Sequence, residues 1–326
     1  MPAIRDCPLL SETYSAWEDF TPVAGAAYVH GASVEERSHH PPGWEMAQRG
    51  VHFVQVVNQE PRRVTVSLAG GPLTAFLRST SRMAALMDAL PGSSIYLDIT
   101  GLSHHVWAPL LRVALTTGKL VRAVYVEPAE YRFSETPTEG EIFDLSEAIL
   151  GISPLPGFTS LAQPRHADSV CFVPLLGFEG NRLQYVLEMV QPPGQKVIPI
   201  VGVPGFRPEY PFYTYMGNRS ALEGNLIWSR IRYAKANCPF SLFYALEDIS
   251  TLYPDELLKI APIGTKPHAL GAVLYALYAS RAVELVYDHP VRKVNRTVGS
   301  ANIHVYDVSS MGTLYRARLL QEGGVA

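Results

Sequence analysis

GLSHHVWAPLLRVALTTGKLVRAVYVEP (Gly101–Pro128) and GTKPHALGAVLYALYASRAVELVYDHP (Gly264–Pro290) line up with one another. Each opens on Gly after a strand-like or extended stretch and places His four residues later, at His105 and His268. Each continues as an apolar helix and closes on a strand ending in Val-Tyr-x-x-Pro. The Gly-to-Pro separation is 27 residues in the first segment and 26 in the second. A glycine turn, an apolar helix and a return strand form a crossover unit, and crossovers imply a mainly parallel sheet. The pairing predicts an internal duplication, with two similar α/β halves.

Outward from these segments, the first half is expected over 51–134. Val51 to Asn58 and Arg63 to Leu68 read as strands, rich in β-branched residues. Ser79 to Leu90 has helical spacing and stops at Pro91-Gly92. Ser94 to Ile99, His104 to Thr117 and Leu120 to Val126 read as strand, helix and strand. The stretch 135–168 is read as a connection with one short helical piece, Asp144 to Leu150. The second half is expected over 169–326. It begins with a strand (Ser169 to Leu176), a helix (Glu179 to Val190) and a strand (Lys196 to Val201). Asn225 to Ala236 is predicted helical, Phe240 to Ala245 a strand and Pro254 to Ile260 a short helix. Pro267 to Ser280 is a helix, Ala282 to Tyr287 a strand, and Asn302 to Val308 a last strand at an antiparallel edge. Residues 1–50, dense in Gly, Pro and His, read as an irregular N-terminal extension.

Composition narrows the function. The 326 residues are 47% apolar and 17% charged, a chain able to bury a large core. With 27 basic and 30 acidic residues the formal charge is −3, which argues against duplex nucleic acid as main partner. A small anion in a local pocket remains compatible. No apolar run approaches the roughly 20 residues that span a bilayer, so no membrane segment is expected. Met1 to Glu18 lacks a continuous apolar h-region, and a cytoplasmic location is the expectation. The three cysteines, Cys7, Cys171 and Cys238, are scattered; Cys171, in an apolar run, reads as a buried thiol. His39 and His40 are adjacent and would point to opposite faces of a strand, poor geometry for one metal ion. No metal and no cofactor are expected.

The stretch Pro262 to His268 carries the most chemistry. Gly264 permits a tight turn, Thr265 offers a hydroxyl, Lys266 a cation, and Pro267 suits a first helical turn. A new helix presents backbone N–H groups and a positive dipole end, where a phosphate or carboxylate sits well. An ordinary cap with a solvated lysine is the competing reading. The full P-loop pattern is absent. A second junction, Gly177-Phe178-Glu179-Gly180-Asn181-Arg182, follows the first strand of the second half and suits backbone approaching a ligand. A helix start, with Glu179 favoured by the dipole, explains it as well. Arg292, Lys293 and Arg296 form a basic loop fit for phosphate, or for solvent. At the first repeat, Gly101, Ser103 and His105 are the matching candidates. Asp98 beside Ser103, His104 and His105 invites a hydrolase reading, yet no nucleophile elbow is present.

Gly264-Thr265-Lys266-Pro267 opening an apolar helix resembles the Gly-Thr-Lys element of CARF-type domains, the Rossmann-like sensors of cyclic oligonucleotides in CRISPR-linked defence proteins. The two-half plan is similar to the fused SAVED-type sensors. The resemblance covers about 169–290, with 51–128 weaker. It implies an α/β fold of two Rossmann-like halves and a nucleotide-type ligand held by Gly264, Thr265, Lys266 and His268. The loop at Gly177, Glu179, Gly180 and Arg182 would join them. No appended nuclease, protease or membrane segment is seen in the sequence.

Three classes compete: a ligand-sensing module, a phosphoesterase or transferase on the same scaffold, and a structural subunit of a larger complex. The sensing module is the expectation. Its partners would be a small anionic nucleotide-type ligand, an effector protein subunit and a second copy of the chain.

Overall fold

The computed structural model describes residues 8–138, 140–161 and 169–321. The chain is mixed α/β and separates into two compact units. One is Cys7–Glu130 with Thr297–Ala326; the other is Tyr131–Arg296. The expected connection 135–168 therefore belongs to the second unit, and the stretch after Arg296 returns to the first.

In the first unit the chain runs β1 (Ser11–Tyr14), β2 (Ala27–His30), α1 (Trp44–Ala47), β3 (His52–Gln59), β4 (Arg63–Leu68), β5 (Gly71–Phe76), α2 (Thr80–Asp88), β6 (Ser94–Asp98), α3 (His104–Ala114) and β7 (Leu120–Tyr131). In the second it forms β8 (Ser146–Ile149), β9 (Ser153–Pro154), β10 (Val170–Pro174), α4 (Gly180–Val190), β11 (Ile200–Gly202), α5 (Tyr210–Gly224), β12 (Arg232–Ala234), α6 (Pro239–Leu252), β13 (Leu257–Ala261), α7 (Lys266–Tyr278), β14 (Val283–Tyr287) and β15 (Pro290–Arg292). It returns as β16 (Thr297–Asp307) and α8 (Val308–Gln321).

The first unit is built on one sheet of order β1-β16-β7-β6-β2-β3-β4-β5. β3, β2, β6 and β7 pair in parallel, while β3-β4-β5 is an antiparallel meander and β1 lies antiparallel to β16. The reading of 1–50 as an irregular extension is corrected: Ala27–His30 is an interior strand, flanked by β6 and β3. The four residues of this strand are too few to show a period, and Ala27, Tyr28 and Val29 are all fully buried. Tyr28, Phe20, Trp17, Trp44 and Tyr96 pack as an aromatic core on one side of this strand. The last strand, β16, is interior as well; β1 takes the edge.

In the second unit β10, β13 and β14 are parallel neighbours, with β9 antiparallel at the β14 side. β11 and β12 pair in parallel. Parallel bridges Phe172↔Val197 and Leu175↔Ile200 join β10 to the stretch that carries β11. Between 225 and 260 the expected helix-strand-helix is inverted. Arg232–Ala234 is a strand, Pro239–Leu252 a helix and Leu257–Ala261 a buried parallel strand. A short continuous apolar run such as Phe240 to Ala245 does not distinguish strand from helix. Pro239 in the first turn and the Cys238 Sγ, which accepts from Ser241 N at 3.4 Å, start the helix. The helical piece expected over Asp144 to Leu150 is instead β8, antiparallel to β15. Cys171 is buried in β10, and burial pushes its thiol pKa up to about 12, so it is inert packing. Cys7 lies outside the described residues.

Candidate functional site

β10 and β13 lie side by side and run the same way, so their carboxyl ends, at Leu176-Gly177 and Ile263-Gly264, meet at one edge of the sheet. From β10 the chain leaves through α4 toward β11; from β13 it leaves through α7 toward β14. In open α/β sheets the edge where connections diverge from neighbouring parallel strands is the usual place for ligands, so this edge is the candidate site. Both glycines are required by space. A Cβ on Gly264 would stand 2.5 Å from the Leu176 carbonyl oxygen, and one on Gly177 2.9 Å from that of Ile263. The backbone at this edge is thus drawn together, and any side chain would push the strand ends apart.

Gly264 leads into α7 through a cap. Thr265 has extended backbone (φ −74°, ψ 152°), and its Oγ1 accepts from His268 N at 3.3 Å while donating to the Ala236 carbonyl at 2.9 Å. The cap fixes α7 to the end of β12. Every residue from Lys266 to Tyr275 is buried, so α7 is an interior helix. Lys266, its first residue, is only 5% exposed. A cation here adds to the positive pole of the helix, the reverse of the charge preference at a helix start. Thr265 and Lys266 thus place a side-chain cap and a buried lysine side by side at the start of α7.

His268 is fully buried. Its Nε2 meets the Lys235 carbonyl at 3.1 Å, and burial lowers its pKa to about 4, so it is neutral. It fastens α7 to the loop after β12. The ordinary imidazole pKa of the unfolded chain lies near 6.5, above the folded value, so the unfolded state takes up a proton that the folded state refuses. Stability from this group is complete above pH 6.5 and is lost as the pH falls toward 4. At pH 5 the loss relative to pH 7 is about 2 kcal/mol. Urea denaturation of wild type and His268→Phe at the two pH values checks it: the variant should lack that increment.

The second expected loop is committed to structure. The Arg182 guanidinium clasps Asp288 with Nε–Oδ2 and Nη2–Oδ1 both at 2.7 Å, and Nη1 donates to the Ile263 carbonyl at 3.0 Å. Burial works against its charge, but Asp288 overrides that and raises its pKa. Glu179 accepts from Leu145 N and from Ser146 Oγ, each at 2.9 Å. A Cβ on Gly180 would stand 1.9 Å from the Gly217 carbonyl, so Gly180 lets α4 and α5 touch. Of this loop Gly177 alone stands at the shared edge of β10 and β13. Arg182 braces this edge, tying the start of α4 to the ends of β13 and β14. Arg292, in β15, and Arg296 follow β14; burial raises the Tyr287 phenol pKa, and Arg182, Arg292 and Arg296 all act to lower it. The cations therefore gather around the end of β14.

The first unit repeats the backbone device. A Cβ on Gly101, after β6, would stand 1.5 Å from the carbonyl oxygen of Gly31, after β2. Gln59 clasps the turn, its Oε1 accepting from Ser103 N at 2.8 Å. Ser103 is the N-cap of α3 with φ −73° and ψ 151°, close to Thr265. Aligned on these caps, Lys266 matches His104, and His268 matches Val106 rather than His105. His105 is partly buried in the first turn of α3, and His104 is buried against Trp107. Asp98 is engaged by Tyr28, Thr100 and His40. It accepts from Tyr28 Oη at 3.1 Å and from Thr100 N at 2.8 Å, and lies 3.7 Å from His40 Nε2. His40 in turn meets Glu45 and His30, a grouping of metal-ligand type that no local spacing announces.

No protein-family model matches the sequence, and no curated protein does. No described helix is long and apolar enough to cross a membrane.

Proposed function

We propose that the chain is a ligand-sensing protein whose Tyr131–Arg296 unit binds a nucleotide-type anion at the Gly177/Gly264 edge. The observation that carries this reading is Lys266, a buried cation at the first position of an interior helix, next to a glycine junction at the carboxyl edge of a parallel sheet. The strand order supports it: β12, β11, β10, β13 and β14 form a series that grows outward both ways from β10, as in doubly wound Rossmann-like folds. The matching backbone angles at the N-caps Ser103 and Thr265, each within two residues of a glycine packed on a neighbouring strand end, support descent of the two units from one ancestral half, although only Thr265 makes a side-chain cap. The Gly-Thr-Lys resemblance makes a cyclic oligonucleotide the first ligand to try, with an effector subunit as the recipient of the signal.

Phosphate is held by Lys266 and the amides of the Gly264–Thr265 turn, with Arg292 and Arg296 at the periphery. Glu179, Arg182 and His268 brace the edge and leave the phosphates to others. A ligand that binds only the folded form at about 100 times its Kd adds about 2.7 kcal/mol to stability. Nucleotide and cyclic oligonucleotide mixtures should therefore raise the melting temperature by several degrees. Lys266→Met, which keeps the buried chain length and removes the charge, should abolish the rise, measured against the variant's own ligand-free melting point. An undiminished rise in Lys266→Met would remove this edge from the account.

A further inference from the structure

The first unit holds a second constellation, built on different residues. His30 is the last residue of β2, His40 lies in the Pro-rich loop that follows, and Glu45 is in α1. Their ligand atoms lie within 4.8 Å of one another. His40 Nδ1 is 2.6 Å from Glu45 Oε1, His30 Nε2 is 3.9 Å from the same oxygen, and the imidazole centroids are 4.8 Å apart. The geometry points to one divalent transition-metal ion, of the zinc type, held by His30, His40 and Glu45 with a further position open to an exogenous ligand.

Several features carry this. Two imidazoles and one carboxylate are the donor set of catalytic zinc sites and of other borderline divalent metals. Metal–nitrogen and metal–oxygen bonds of about 2.0–2.2 Å place tetrahedral ligand atoms about 3.3 Å apart, inside the span observed here. An ion entering the cluster replaces the His40–Glu45 contact and asks Glu45 to retreat by under about 1 Å. The Glu45 side chain is 42% exposed and free to do so, whereas that of His40 is 4% exposed and fixed. The outer shell is in place as well. His40 Nε2 is buried and makes no hydrogen bond, and the Asp98 carboxylate stands 3.7 Å from it. With Nδ1 on the metal, Nε2 carries the proton and faces Asp98, the carboxylate–histidine–metal arrangement that orients a ligating ring. Asp98 is itself held by Tyr28 Oη and Thr100 N. Around His40 the rings of Trp17, Trp44, Tyr28 and Phe53 lie with centroids 4.9–6.0 Å away, an apolar jacket that excludes water from one side. The same cluster without metal is a charge network: burial opposes charge on His40, and the Asp98 and Glu45 carboxylates outweigh it, while burial and His40 lower the pKa of His30. The experiment separates the two.

The full chain, stripped with EDTA and dialysed, is titrated calorimetrically with Zn2+ and optically with Co2+. The proposal expects saturable uptake of one ion per chain and ligand-field bands of low-symmetry Co2+. Glu45→Gln, at a half-exposed position that leaves the fold intact, should weaken binding at least tenfold. Asp98→Asn should weaken it by about 10- to 100-fold while keeping the stoichiometry. His304→Gln, which alters the separate buried His304–Glu127 pair (Nε2–Oε1 2.6 Å), should leave uptake unchanged. Absence of saturable uptake of either ion overturns the proposal, as does uptake that survives both Glu45→Gln and His30→Ala, since the ion would then lie elsewhere.

Discussion

Replacing Arg182 by Met is expected to destabilise the Tyr131–Arg296 unit by about 3–5 kcal/mol. Arg182 and Asp288 are both buried, and their two-point contact has both legs at 2.7 Å. Removal of the guanidinium strands a carboxylate that is fully enclosed, and an uncompensated buried charge is the costly half of a broken ion pair. The Ile263 carbonyl loses its partner at the same time. The double change Arg182→Met with Asp288→Leu should recover much of the loss, because no charge is then left behind. Urea denaturation of the two variants beside wild type measures this. If Arg182→Met alone were neutral, the pair would not be the clamp that braces the Gly177/Gly264 edge. Ligand binding should fall in the single variant through the moved edge, so stability and binding must be read together.

The second large effect is expected at Gly101. A methyl group there would stand 1.5 Å from the Gly31 carbonyl oxygen and 3.1 Å from Ser38 Cβ. No rotamer relieves a clash between a Cβ and backbone, so the ends of β2 and β6 must separate, and both are interior strands of the sheet. Gly101→Ala should lose more than about 4 kcal/mol, enough to leave the unit largely unfolded. Gly70→Ala is the control. A Cβ at Gly70, in the turn between β4 and β5, meets nothing within 4 Å, and its effect should stay within about 0.5 kcal/mol. Circular dichroism melts of the pair decide it; equal melting points would mean that the close approach is not needed for folding.

The crossovers were legible because they are written locally. Gly101 and Gly264 each precede an apolar helix, and α3 and α7 are where periodicity and stop signals put them, whereas β13, ahead of Gly264, reads in the sequence as a short helix over Pro254 to Ile260. Thr265-Lys266-Pro267 announced a helix start, and the structure adds that Thr265 is its cap. Interior strands of three to five residues were harder. β2 is bounded by glycines and too short for a pattern, and the apolar run at α6 has no alternation to mark its class. Gly177, Gly264 and Lys266 stand at strand ends and a helix start, as the sequence reading places them, while the charged loop was misleading. Arg182 and Glu179 have the chemistry of ligand contacts, but their partners, Asp288, Leu145 and Ser146, come from distant sequence. The same distance hid the cluster of His30, His40, Glu45 and Asp98, since the β2–β6 pairing that unites Asp98 with the others is not a local signal.

The most direct test is a crystal structure of the chain grown with a cyclic oligonucleotide or a linear nucleotide. A phosphate oxygen within about 3 Å of Lys266 Nζ, over the Gly264–Thr265 turn, is the result expected. Well-ordered nucleotide bound to some other surface, with Lys266 still enclosed by protein side chains, would contradict it.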